Sequence, residues 1–154
     1  MRVQRSINKL KPPFMHAAIW LVHLIEENEL PLKVYETLRS DALQQKYFDR
    51  GVTRARPGQS AHNHGFAVDF ILDTDKISVR RRGWRGRMYP DAWDDESPNA
   101  VEVWSRFGEL VRGLDLTWGG DWIAKNAKPK TMSDGSSIIL GWDLPHVEIR
   151  GWRR

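Results

Sequence analysis

Apolar residues recur at helical spacing across residues 13–29, where Phe14, Ala17, Ala18, Leu21, Leu24 and Ile25 form one stripe. Pro12 and Pro13 stand at its start and Pro31 beyond its end, as helix-opening and helix-closing residues do. Ile19, Trp20 and Val22 widen the stripe, so the pattern predicts a helix sunk into the core, with His16 and His23 as half-buried structural residues. Residues 32–38, LKVYETL, alternate as a strand does and end at Arg39. Ser40 is then placed to cap a second helix, with Asp41 in its first turn, Leu43 and Tyr47 four apart and Gly51 as its stop. The run AVDFIL, residues 67–72, reads as a buried strand. Residues 73–96 are dense in charge and lack apolar periodicity, which predicts a long loop, either a substrate-facing flap or a disordered excursion. Ser97 and Pro98 offer an N-cap and first helical position for a helix to about Arg112, with Trp104, Phe107, Val111 and Leu114 on one face. Residues 116–122 read as a strand entering a glycine turn, and 123–136 as a polar loop. Residues 137–142 and 146–149 are expected to pair as antiparallel strands across a turn at 143–145.

A chain of 154 residues is most simply one domain, with no room for a separate wall-binding unit. There is no cysteine, so any metal would have to be held by histidine, carboxylate and water. The basic start lacks a following signal-type apolar core, and FMHAAIWLVHLI is too short to span a bilayer, which predicts a protein made in the cytoplasm without membrane insertion. The 24 basic side chains outnumber the 20 acidic ones, giving a formal charge of +4. Arginines gather at Arg80, Arg81, Arg82, Arg85 and Arg87, and again at Arg150, Arg153 and Arg154. That balance suits an anionic partner, but no zinc-finger spacing, RNP string or basic heptad helix accompanies it, so specific nucleic-acid binding is not expected.

Chemistry concentrates in SAHNHGFAVD, residues 60–69. His62 lies in a loop and Asp69 in a strand, a combination able to converge on one ion, although a lone pair of this kind is often only surface polarity. A catalytic zinc site typically takes three protein ligands and leaves a fourth position to water, and His146 in WDLPHVEI is the candidate third ligand.

Ser60, His62, Gly65, Ala67 and Asp69, taken with Asp143, Pro145, His146 and Glu148, resemble the signature of the LAS metallopeptidases. Within that group the chain is most similar to VanY-type carboxypeptidases and phage L-alanyl-D-glutamate endolysins. The run ETLRSDALQQ is similar to a family segment whose arginine points into the active site, and LTWGGDW to a string of the endolysin-like members. The resemblance implies one Zn²⁺ held by His62, Asp69 and His146, with Asp143 as catalytic acid and base and Arg39 holding substrate. Gln44 matches the same segment, Ser60 is expected to meet the substrate's polar end, and Glu148 to orient a ligand imidazole. Two departures bear on the substrate subsites: Val147 stands where the family often has an aromatic residue, and the segment between Trp122 and Asp143 is longer than in compact endolysins.

The implied fold is α+β, a small central antiparallel sheet with helices mainly on one side, as in hedgehog and the D,D-peptidases. The implied function is hydrolysis of the peptidoglycan peptide stem by a monomeric endolysin that reaches the wall after release. Cleavage of L-alanyl-D-glutamate is the leading expectation. A D-alanyl-D-alanine carboxypeptidase and a catalytically idle zinc-containing wall-binding module are the alternatives.

Overall fold

Four short strands form the central sheet of the computed structural model, which describes residues 2–153; Arg154, counted in the second arginine cluster, lies outside them. These are β1 (Leu32–Glu36), β2 (Ala67–Leu72), β8 (His146–Glu148) and β5 (Thr117–Trp118), hydrogen-bonded in that spatial order and antiparallel throughout. Strand parity divides the labour. Val68, Phe70, Leu72 and Val147 turn to one face, where they meet Phe14, Leu21 and Ile25 of α1 (Phe14–Glu27) and Trp104, Phe107 and Val111 of α3 (Pro98–Gly113). Phe107 joins the layers, edge-on to Phe70 at 5.2 Å and to Trp118 at 6.2 Å. Burying each such side chain contributes about 1.5–3 kcal/mol. Asp69, His146 and Glu148 are left for the opposite face. The α+β architecture with α1 and α3 on one side agrees with the pattern read from the chain.

The second helix, α2 (Asp41–Asp49), starts where expected, with Ser40 Oγ accepting the Leu43 N–H at 3.2 Å. At α3 Ser97 and Pro98 stand as N-cap and first helical residue, as expected, but the Ser97 side chain makes no cap bond. Just before the helix the Asp94 carboxylate takes the backbone N–H groups of Glu96 and Ser97, both at 2.9 Å, and the Ser97 hydroxyl donates to it as well. A carboxylate accepts all three donors at once, which a hydroxyl cannot.

Several sequence expectations are corrected. Residues 73–96 are not an unstructured loop: β3 (Arg80–Arg82) and β4 (Met88–Pro90) pair as a hairpin, and Ala92 accepts the Leu72 N–H, joining the end of the insert to β2. Residues 137–142 are not the neighbour of β8. Only Ser137–Ile138 is a strand, β7, and it pairs with β6 (Lys130–Thr131), because Gly141 and Trp142 are instead hydrogen-bonded to the carbonyls of Gly120 and Trp122. His16 and His23 are exposed, and so are Ile19 and Trp20. The buried stripe of α1 is the narrower Phe14, Ala18, Leu21 and Ile25, since one face of a surface helix suffices to cover the sheet. Among the described residues, no helix is long and apolar enough to cross a membrane.

The glycine turn after β5 is a matter of space. Gly119 accepts the Asp143 N–H at 3.4 Å, and a Cβ added to it would overlap the Asp143 carbonyl. At Gly113, near the end of α3, a Cβ would meet nothing within 4 Å. Gly119→Ala is therefore expected to cost about 1–3 kcal/mol in urea unfolding. Gly113→Ala should stabilise by up to about 1 kcal/mol.

Candidate metal centre

Asp69 and His146 lie directly opposite each other on β2 and β8, and Glu36 on β1 is paired with Asp69 on its other side. The three residues form a row across the sheet. Glu36 reaches this row through a register shift between Val34 and Glu36, a bulge in which Tyr35 is the extra residue. Strict alternation with Val34 facing the core would have turned Glu36 inward as well. The bulge instead lets both Tyr35 and Glu36 line the cleft.

His62 comes from a short turn, residues 61–64. Ser60 Oγ accepts the His62 N–H at 3.3 Å, and the Asn63 side chain accepts the Ser60 N–H in return at 3.3 Å. Gly65 ends the turn in the left-handed region at φ 72°, which a glycine adopts without penalty. The Arg39 N–H donates to the His62 carbonyl at 2.9 Å, fastening the turn to the corner between β1 and α2.

The decisive geometry lies in the imidazoles. His62 is 2% exposed, and its Nδ1–H donates to the Thr37 carbonyl at 2.7 Å, leaving Nε2 as a lone pair. That nitrogen is buried, lies 3.1 Å from Asp69 Oδ1 and has no hydrogen-bond partner among the described residues. His146 Nε2 is engaged by Glu148 Oε2 at 2.9 Å, while its Nδ1 faces the same Asp69 oxygen at 3.1 Å. With each ring donating outward, two nitrogen lone pairs and a carboxylate oxygen converge. One ligand atom from each of His62, Asp69 and His146 lies within 4.8 Å of the others. A cation is what such a donor set accommodates, and the set is the nitrogen and oxygen combination that suits zinc.

Charge follows from this crowding. Burial opposes ionisation of Asp69, yet the two imidazoles outweigh it and hold the carboxyl well below the usual carboxylate range. Burial likewise opposes protonation of His146, but its bonds to Asp69 and Glu148 push its pKa up to about 10. Asp143 is raised from its ordinary value, chiefly by burial, with the nearby positive charge of His146 acting against the shift. A carboxyl with a raised pKa beside a metal-ready cluster is suited to exchanging protons.

Arg39 is deeply embedded. Its Nε and Nη2 donate to the two carboxylate oxygens of Glu36 at 3.0 and 2.6 Å, and Nη1 donates to Gln44 Oε1 at 3.0 Å. Gln44, fully buried, gives its amide to the Ala55 carbonyl at 2.7 Å. The guanidinium stacks over Tyr47 at 4.8 Å and stands 3.7 Å from Asp69 Oδ2. These partners fix its plane at the floor of a cleft of about 1390 Å³ that also holds Asp143, His146 and Glu148.

All eight residues singled out in the sequence thus gather in one region. The Ser60 hydroxyl supports the His62 turn, and Gln44 serves Arg39. His64 is exposed, bonded to the Gly58 carbonyl and set against Trp152. Sequence reasoning missed Glu36, the Thr37 carbonyl and Tyr47. Glu36 stands three residues before Arg39 in ETLRS, a signal visible in retrospect. It also missed that Trp122 lies against His146, with ring centres 5.2 Å apart.

Known proteins support the same reading. A family profile described as D-alanyl-D-alanine carboxypeptidase matches residues 53–128. Over 74 residues the chain is 35% identical to the peptidoglycan L-alanyl-D-glutamate endopeptidase CwlK of Bacillus subtilis (strain 168). That match covers 46% of this chain and 37% of CwlK, so the chain spans little more than a third of that relative's length. The crystal structure of the Serratia marcescens L-Ala D-Glu endopeptidase ChiX has the same fold, with a TM-score of 0.53 at 20% identity over 96% of this chain and 88% of that one. The partial sequence matches, the shared fold and the cluster of His62, Asp69 and His146 agree with the resemblance to LAS/VanY-type peptidases read from the chain, the family profile covering just under half of it.

Proposed function

We propose that this chain is a zinc-dependent peptidase that cleaves the L-alanyl-D-glutamate bond in the peptide stem of bacterial peptidoglycan. The carrying observation is the meeting of His62 Nε2, Asp69 Oδ1 and His146 Nδ1 in a cleft that also holds Asp143 and Arg39. The substrate is supported by the names of CwlK and ChiX, both L-alanyl-D-glutamate endopeptidases.

Zinc, when bound by His62, Asp69 and His146, supplies Lewis acidity that makes attack by water on an amide carbonyl feasible near neutral pH. Asp143 takes the proton of the attacking water and returns it to the leaving amine. Its raised pKa makes it a stronger base for the first of these transfers than an ordinary carboxylate. Arg39 presents a fixed positive charge toward the oxygen on which negative charge develops. Glu36 and Gln44 hold the guanidinium in place, so this charge needs no rearrangement as the reaction proceeds.

Digestion of purified sacculi, with the soluble fragments weighed by mass spectrometry, tests the assignment. The wild type is expected to release whole stem fragments beginning at D-glutamate. Asp143→Asn should lower the rate by about 10²–10⁴. Release of single D-alanine would instead mark the carboxypeptidase named in the family description, and wild-type rates from Asp143→Asn would remove that residue from its role. Glu36→Gln should leave zinc affinity near wild type while lowering kcat/KM by up to about 100-fold, because the arginine loses its aim.

Stability supplies an activity-independent check on the metal. His146 is raised in the folded protein, so in chelator its contribution is complete below the unfolded value of 6.5 and is lost as pH rises through about 10. The melting temperature of the metal-free protein should fall across that window. Zinc should flatten the fall by taking the place of the proton, and His62→Ala should lose most of the zinc-induced rise in Tm. A melting temperature indifferent to zinc at pH 8 would overturn the proposed metal centre.

A further inference from the structure

The cleft is larger than a dipeptide requires, and two of its lining tryptophans are substantially exposed. Trp142 is 69% exposed and immediately precedes Asp143, while Trp93 is 49% exposed and meets Tyr35 edge-on at 4.8 Å on the β1 side. Trp142 is not on a slack loop. Its N–H donates to the Trp122 carbonyl at 3.3 Å, and the following N–H, that of Asp143, donates to the Gly119 carbonyl at 3.4 Å. Its indole rests against Trp122 with ring centres 5.2 Å apart, and Trp122 rests against His146 at the same separation. Two ring contacts therefore connect the metal ligand to an aromatic surface held open to solvent.

An exposed indole on a fixed backbone, continuous with a reaction centre, is a binding surface in want of an apolar partner. Substrate chemistry says which partner. In peptidoglycan, the L-alanine whose carbonyl would be attacked is joined through its nitrogen to the lactyl group of N-acetylmuramic acid. One residue, about 3.6 Å when extended, thus separates the scissile carbonyl from the sugar's ether substituent. A pyranose ring must then lie a few residue lengths at most from the scissile carbonyl, on the scale of the two 5.2 Å ring contacts that separate Trp142 from His146. Pyranose rings present a face of C–H groups, weakly positive, that matches the negative face of an indole and needs no charged side chain.

Resting on the endopeptidase reading, we propose that Trp142 is a sugar-binding residue that stacks on the muramic acid ring. The protein would thereby favour stems still attached to glycan over stems already freed from it.

Two substrates separate this role from a structural one: muramyl tetrapeptide, and the D-lactoyl tetrapeptide obtained from it by removing the sugar through β-elimination. The ratio of their kcat/KM values is the readout. In Trp142→Ala the preference for the muramyl substrate should fall by about tenfold relative to wild type. Trp142→Phe should recover much of it, and Trp93→Ala should leave the ratio in place. Equal loss on both substrates would mean that Trp142 only props Trp122 against His146, and the proposal would be overturned. A ratio moved by Trp93→Ala and not by Trp142→Ala would overturn it equally. If the wild type cuts neither substrate after L-alanine, the endopeptidase reading fails and carries this inference with it; unequal cutting by the wild type with no response at Trp142 sinks the inference alone.

Discussion

One carboxylate oxygen with an imidazole nitrogen on either side is the constraint from which the rest of this structure follows. Asp69 Oδ1 lies 3.1 Å from His62 Nε2 and 3.1 Å from His146 Nδ1, and both rings have their far nitrogens already engaged. Such an arrangement is unfavourable unless positive charge sits within it, whether protons or a metal. The fold bears this cost through rigid supports: a strand pairing that sets Asp69 against His146, a capped turn that delivers His62, and the Thr37 carbonyl just past β1 that fixes the ring tautomer.

Arg39 belongs to the same unit. Burying a guanidinium is costly unless it is paired with good geometry, and Glu36 meets it with both oxygens. Its own backbone N–H holds the His62 carbonyl, and Asn63 in the His62 turn returns a bond to the Arg39 carbonyl at 3.1 Å. The cation on the cleft and the turn that carries His62 are thus mutually braced. Asp143 is braced separately, through the glycine turn after β5.

Much of this was legible in the chain because the chemistry sits in short, contiguous strings. His62 and Asp69 share ten residues, and Asp143, His146 and Glu148 share six, so local spacing preserved their relation. The amphipathic helices were legible for the same reason, their stripes being local. What stayed hidden depended on distant partners. Glu36 was obscured because a bulge breaks the alternation from which its facing would be read. The segment 137–142 has strand-like composition, yet its first two residues pair with β6 and its last two bond to the glycine turn some twenty residues earlier. Trp20 and Trp142 are apolar and exposed, and periodicity alone assigns such residues to a core. The hairpin at 80–90 escaped because its first strand is three arginines and its second only Met88–Pro90, too short for a periodic signal.

The direct opposition of Asp69 and His146 also limits how such a chain can change. A one-residue slip between β2 and β8 would carry Val68 and Val147 to the wet face and drive both ligands into the apolar layer, losing core and chemistry together. Insertions and deletions within these strands are therefore doubly penalised. Length can vary instead at the hairpin insert and at the stretch that carries β6 and β7, both lying between strands of the central sheet. Diversification in this architecture is channelled toward the walls of the cleft, while the immediate surroundings of Asp69 and His146 are held to a single frame.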